Sequence, residues 1–351
     1  MQKFEVFRTH DDSVSKYVHV DGSETAIKLV KSIQSILNPI TNQIETRESD
    51  RNKYSIFISS SVGCFMKCRF CHLTLKKSTH EKLSEDQVLS NLKEAIEEAS
   101  IAIPDIKNRY IKLSWMGMGD AVNKPEMVRN VSLKILDWIF EKGYAIGLDG
   151  VDLSTVMPKL NDKKWIGIFH DLESSLHKYV VNPIYTMDNV EFANNQYSHQ
   201  NIFRIFYSIG SPIQEKRDNV IPNAMPLSDA STLFKEYQQD GKYSVILHHL
   251  LVNNMNDSHE ELDKLIEFIN TNFKDNELRL LRYNSCKPGD INFADGIYVE
   301  SDTINEQIKK ISDNINFLKV QISPGSQVQA ACGQFIVKDF IRTKPIYPTH
   351  K

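Results

Sequence analysis

Three of the five cysteines in this chain fall within eight residues, in the run Cys64-Phe-Met-Lys-Cys68-Arg-Phe-Cys71. An odd cysteine count with that packing argues against a disulfide framework and for metal or redox chemistry. Three thiolates can hold three irons of a cubane [4Fe-4S] cluster, leaving the fourth iron open to a substrate. Other readings compete. Structural zinc wants four ligands, usually as CxxC pairs, and here a second pair is missing, with only His72 at hand. Cys68-Arg-Phe-Cys71-His72 also matches the attachment pattern of c-type haem, which leaves Cys64 unexplained. Buried structural thiols are the third alternative, although three on one tight loop is unlike core packing.

The elements around the cluster decide what it faces. Strands are expected at Tyr54–Ser60, Tyr110–Trp115, Val151–Val156, Ile202–Ile209, Tyr243–Leu251 and Leu278–Tyr283. Helical stretches near 84–101, 126–141, 228–239 and 258–271 lie between them. Ser84 and Gln87 have the spacing of a capping box. Strand alternating with helix implies βαβ units and a parallel sheet. Six such units fit an α/β fold, a partial (β/α)6 TIM-like barrel. The cysteines follow its first strand, so they sit at the C-terminal face, where barrel active sites lie. A further helix (303–314) and strand (316–322) follow.

Residues 3–20 read as two short strands around a polar turn, a small N-terminal β extension. Ile27, Val30, Ile33 and Leu37 have helical spacing up to Asn38-Pro39, and 41–53 reads as a polar linker. The expected domains are an extension (1–53, hairpin and helix), a barrel (54–290) and a C-terminal segment (291–351). Residues 159–200, aromatic and Asn-rich, read as an insertion. Their aromatics could stack on splayed bases or cap the barrel as core.

The chain has 351 residues, 25% of them charged and 41% hydrophobic, with net charge -3. These values exclude a disordered chain and a strongly basic nucleic-acid binder. No run approaches the roughly 18 apolar residues of a membrane helix, so no membrane partner is expected. The N-terminus lacks the apolar core of a signal peptide. A cytoplasmic location, where thiols stay reduced, is the expectation.

CxxxCxxC after the first strand of a partial barrel resembles the radical S-adenosylmethionine (SAM) superfamily. The flanks resemble one branch, the RlmN/Cfr-type RNA adenine methyltransferases, over about residues 3–20 and 54–335. SSSVGCFMKCRFC is similar to that family's cluster segment. Trp115-Met-Gly-Met-Gly-Asp120 resembles its GMGE loop, with Asp in place of the usual Glu. Leu153-Ser154-Thr155 resembles the third-strand segment. Arg204–Ser208 resembles the fourth-strand end, with Ile209-Gly210 where Leu-His is usual. Arg217-Asp218 and Pro222 match an RDxxxP pattern, and Leu280–Asn284 resembles the sixth-strand end. Gln329-Ala-Ala-Cys332-Gly-Gln-Phe335 resembles the ACGQ tail.

The resemblance implies that Cys64, Cys68 and Cys71 ligate a [4Fe-4S] cluster. It implies that Gly119, Asp120, Ser154, Ser208 and Asn284 hold SAM, and that Cys332 carries the methyl group. The implied reaction adds a methyl group to C2 or C8 of an adenine in rRNA or tRNA, with a flavodoxin- or ferredoxin-type electron donor. The alternative is a divergent radical SAM enzyme that acts on another substrate, a nucleotide or a protein, without RNA methylation. A non-catalytic RNA-binding or zinc protein using the same cysteines is a third class.

Two departures bear on this choice. The family's resolving cysteine, seven residues before the cluster's first, is Phe57 here. Cys286, two residues after Asn284, is a candidate substitute; an ordinary buried thiol is the competing reading. The family also carries a helical accessory domain before the strand pair, whereas this sequence begins at the pair, so RNA recognition is expected to be weaker or different.

Overall fold

The computed structural model describes residues 4–30, 33–37, 44–48, 52–75, 79–160, 162–180, 201–281, 283 and 301–321. Within them, β1 (Phe4–Arg8), β2 (Val14–His19) and β3 (Glu24–Val30) form an antiparallel meander. β4 (Ile33–Leu37) and β5 (Ile44–Glu48) pair as a separate hairpin. β6 (Lys53–Phe57) is followed by the short pair β7 (Ser61–Val62) and β8 (Glu81–Lys82), with α1 (His72–Leu75) between them. Strands and helices then alternate: α2 (Glu85–Ala102), β9 (Tyr110–Trp115), α3 (Pro125–Lys142), β10 (Gly147–Thr155), α4 (Lys164–Leu176) and β11 (Phe203–Ser208). Next come α5 (Gln214–Val220), α6 (Leu227–Gln238), β12 (Ser244–Leu250), α7 (His259–Asn272), β13 (Leu278–Leu281), α8 (Ile304–Ser312) and β14 (Leu318–Gln321).

Ten strands share one sheet in the order β1-β2-β3-β6-β9-β10-β11-β12-β13-β14. From β6 to β14 every pairing is parallel, and each crossover carries a helix. This is the partial TIM-like barrel: six βα units and a closing strand. The antiparallel extension joins it where β3 pairs with β6. The helices form where their apolar faces meet the sheet. Val88, Leu92, Ala95, Ile96 and Ala99 of α2 repeat at helical spacing and are buried. The Ser84–Gln87 capping box closes its first turn, with bonds of 2.9 and 3.2 Å.

Three expectations are corrected. The stretch with helical spacing, Ile27 to Leu37, is strand: β3 and then β4. Residues 24–28 are buried on both faces between β2 and β6, which erases the alternation that marks a half-buried strand. Sheet pairing decides the conformation there. The supposed linker contributes β5. The 159–200 insertion is also revised, since Lys164–Leu176 is the crossover helix between β10 and β11. Its Trp165, Phe169, Leu172 and Leu176 are buried in the main core. Tyr179 is core too, stacked on Phe140 at 5.4 Å. Residues 181–200 lie outside the described residues.

The barrel interior carries charge. Asp152 of β10, fully buried, accepts a bond from Arg204 Nε of β11 at 2.7 Å and pairs with Lys112 of β9. Burial alone would raise its pKa, but Arg204 and Lys112 outweigh that and hold it at about 2. The folded pKa lies below the ordinary carboxylate value of roughly 4, so this stabilisation is complete above that pH and is lost as pH falls towards 2. Asp152→Ala leaves two cations facing each other in the interior, and is expected to cost about 3–5 kcal/mol in urea unfolding at neutral pH. The variant should also lose the Asp152 contribution to the wild type's acid destabilisation. A loss within the range of surface substitutions would refute the pairing's role.

Candidate active site

The cysteine loop, the turn after β9 and the ends of β10 to β13 enclose one cavity at the C-terminal face of the barrel. Cys64, Cys68 and Cys71 line it. So do Gly117, Gly119 and Asp120 after β9, Ser154 and Thr155 of β10, and Ser208 of β11. His72, the β12 residues His248 and His249, Asn256 and Tyr283 add further polar groups to the lining. Residues that stand far apart in sequence are thus brought to one wall by strand order.

The position of the cysteines is built by backbone pairing beyond the strand ends. Gly117 N–H donates to Ile58 O (3.0 Å) and Ser60 N–H to Met118 O (2.8 Å). Ser59 Oγ accepts from Met118 N–H (3.0 Å) and donates to Glu24 O of β3 (2.6 Å). Ser61 Oγ bonds Gly63 O at 2.8 Å. The serine run and the Gly-Met-Gly turn are therefore one interlocked unit. A Cβ on Gly117 would lie 2.6 Å from Ser59 Oγ and 2.7 Å from Ile58 O. Gly119 has φ +92°, and a Cβ there would overlap the Ser60 and Ser61 hydroxyls.

The far side of the loop is tied to α5. Arg69 N–H donates to Val220 O (2.9 Å), and Asn223 Nδ2 donates to Phe65 O (2.5 Å). Met66 is buried among Val220, Ile221 and Ala224. The RDxxxP pattern supplies this strap. Arg217, wholly buried, donates to Val156 O at 2.7 Å and to the carbonyls of Ser208 and Ile209. It gathers the strand ends of β10 and β11 under the helix that holds the cysteines.

Burial pushes the Cys64 thiol up to about 12, with Cys71 nearby adding to the shift, and Cys68 rises well above its ordinary value for the same reason. Ionised thiolates in this setting need a compensating positive centre, which iron supplies. Among the described residues no three His, Cys, Asp or Glu side chains are grouped to hold a single metal ion. A cubane presents its irons at separate corners, so three thiols that surround a volume suit it better than they suit zinc.

Asp120 supplies the carboxylate. Burial pushes it up to about 6, against bonds from Val156 N–H (2.9 Å), the Thr155 hydroxyl (3.0 Å) and Val122 N–H (3.3 Å). These bonds also strap the end of β9 to that of β10. Ser154 and Ser208 stand half-buried on the same wall.

No family model matches the chain. It is 24% identical over 285 residues to a probable dual-specificity RNA methyltransferase RlmN from Flavobacterium psychrophilum, covering 80% of this chain and 69% of that protein. It is 28% identical over 264 residues to the dual-specificity RNA methyltransferase RlmN of Campylobacter hominis, covering 72% and 62%. A radical SAM methyltransferase from Sphaerobacter thermophilus shares the fold, with TM-score 0.58 at 16% identity over 95% of this chain and 81% of that one. These likenesses agree with the cysteine motif: the chain is similar to RlmN-type radical SAM methyltransferases. Radical SAM methyltransferases use a [4Fe-4S] cluster and SAM, and the cavity's donor set fits both.

The RlmN-type departures have structural counterparts. Phe57, Cys64 and Cys71 all pack against one small core of Val14, Ala26, Leu73 and Met118, with Lys28 Nζ 4.2 Å from the Phe57 ring centre. A ring, not a thiol, therefore shares that small core with two of the cysteines. Gly210 has φ +75°, and a Cβ there would lie 2.5 Å from Ile221 Cδ1, so α5 occupies the room a larger side chain would need. Asn284, Cys286 and Cys332 lie outside the described residues. The sequence reading placed Thr155 and Tyr283 within resembling segments without giving them a role, and missed His248, His249 and Asn256. Their only signal was a place at or just beyond a strand end.

Gly119→Ala is expected to take up markedly less iron than wild type in oxygen-free reconstitution. Gly143→Ala, at the end of α3 where nothing lies within 4 Å of an added Cβ, should take up as much as wild type. Equal uptake by both variants would show that the interlocked turn does not set the cysteine loop.

Proposed function

We propose that this RlmN-type enzyme methylates C2 or C8 of an adenine in rRNA or tRNA, with Cys332 as methyl carrier. The observation that carries the reading is the single cavity shared by the three cysteines, Asp120, Ser154 and Ser208. Cys64, Cys68 and Cys71 would hold three irons of the cluster. When bound and reduced, the cluster supplies the electron that cleaves SAM to a 5′-deoxyadenosyl radical. Asp120 accepts from the SAM amino group, and Gly119 lets the backbone approach. Ser154, Ser208 and Asn284 complete the hold on SAM. The Cys332 thiolate takes a methyl group from the sulfonium of one SAM, releasing S-adenosylhomocysteine. Curated relatives named as RNA methyltransferases support RNA as the substrate.

A flavodoxin- or ferredoxin-type protein is the proposed electron donor, and the cytoplasm the proposed location. No helix among the described residues is long and apolar enough to cross a membrane. The second reading, a radical SAM enzyme with another substrate, is favoured by Phe57. The Phe57 ring cannot perform the resolving thiol's task, for which Cys286 is the proposed substitute.

Mass spectrometry of RNA from cells with and without the expressed protein tests the substrate. Methyladenosine should rise with the wild type and not with Cys332→Ala. No rise with the wild type would sink the RNA reading. Cys286→Ala should lower turnover; unchanged turnover would eliminate its substitute role. Asp120 binds SAM as the ionised carboxylate and is pushed up to about 6, so a proton competes with SAM below that pH. SAM affinity in equilibrium dialysis is expected to be flat above about pH 6 and to fall towards tenfold per unit below it. Asp120→Asn should flatten that dependence.

A further inference from the structure

The cavity contains a polar group that the mechanism above leaves unused. His248 lies on β12 in register with Ser208 of β11, and both line the cavity. The residue is 6% exposed, and its Nε2 has no hydrogen-bond partner among the described residues. The ring is fixed in place, tilted against Phe206 with centroids 4.7 Å apart. Asn256, which also lines the cavity, bonds other groups. That amide donates to Gly210 O and Leu250 O, both at 2.6 Å, and accepts from Val252 N–H at 2.9 Å. A buried polar atom left unmade is costly, and one on a cavity wall points to a ligand that completes it.

The walls of the cavity differ in kind. The carboxylate stands at the β9–β10 end, beside the cysteines. The imidazole stands on β12, with β11 between. Burial, with Arg279 adding to it, pushes His248 down to about 3, so the ring is neutral at physiological pH. A neutral hydrogen-bonding ring is matched to an uncharged group, whereas Asp120 is matched to an amine. SAM has this polarity, with an amino-acid half and an uncharged nucleoside half.

We infer that His248 grips the nucleoside half of SAM, through a hydrogen bond between Nε2 and a ribose hydroxyl. The inference rests on the SAM-binding reading above. It makes His248 a positioning residue that sets where the nucleoside lies relative to the cysteine loop.

The test is equilibrium dialysis with oxygen-free, cluster-loaded full-length protein. The ligands are SAM, its 2′-deoxy and 3′-deoxy analogues, 5′-deoxyadenosine and methionine. His248→Phe is expected to weaken SAM and 5′-deoxyadenosine by about tenfold, the effect of one lost hydrogen bond, and to leave methionine unchanged. His248→Gln should recover most of the loss. Wild type should lose a similar factor with one deoxy analogue, and that analogue should lose nothing further in His248→Phe, because the two changes remove the same bond. Wild-type protein alone gives the analogue result, so a variant that fails to fold does not remove the test. Unchanged SAM affinity in His248→Phe, additive losses for both analogues, or a parallel loss of methionine binding would overturn the inference. Wild type that binds no SAM would overturn the SAM-binding reading, and this inference with it.

Discussion

The serine run before the cysteines and the glycine turn after β9 lie flat against each other, and the rest of the site is arranged around that contact. Ser59, Ser60 and Ser61 place hydroxyls where a Cβ on Gly117 or Gly119 would stand, while Met118 N–H donates to Ser59 Oγ and Met118 O accepts from Ser60 N–H. Because β6 and β9 are already paired, this contact extends their register past the sheet and aims the cysteine loop over the barrel mouth. The same turn delivers Asp120 to the cavity wall. One close approach thus sets both the thiols and the carboxylate.

The opposite edge of the site is set by a buried cation. Arg217 bonds carbonyls at the ends of β10 and β11. Its helix, α5, then holds the cysteine loop through Val220 and, just beyond, Asn223. The loop is therefore clamped from two sides, by β9's turn and by α5. The charged layer around Asp152 lies beneath the cavity, and Phe206 and His248 stand above it. Buried charge is tolerated there because each carboxylate has cationic partners.

Much of this was legible in the sequence, for physical reasons. Cluster ligands need fixed types at fixed spacing, so Cys64, Cys68 and Cys71 announce themselves. The parallel strands read as apolar runs bounded by helices with clear caps, as at Ser84 and Gln87. β3 was hidden because burial on both faces removes alternation, and a chance spacing of Ile27, Val30, Ile33 and Leu37 imitated a helix. α4 was hidden by its aromatic composition, which resembled an irregular loop. His248 carried no local pattern. Its role depends on parity along β12 and on register with Ser208, and neither is visible until the strands are paired. The Asp in place of Glu at position 120 reads differently in three dimensions, since the short carboxylate also straps β9 to β10.

The most direct measurement is peptide mass spectrometry on protein expressed in cells and purified without oxygen, on the peptide that contains Cys332. The account predicts one added methylene on that cysteine in the wild type and none when Cys64, Cys68 and Cys71 are replaced. An unmodified Cys332 in protein that still cleaves SAM would contradict it, and would mean that the radical acts on a substrate other than a cysteine-borne methyl group.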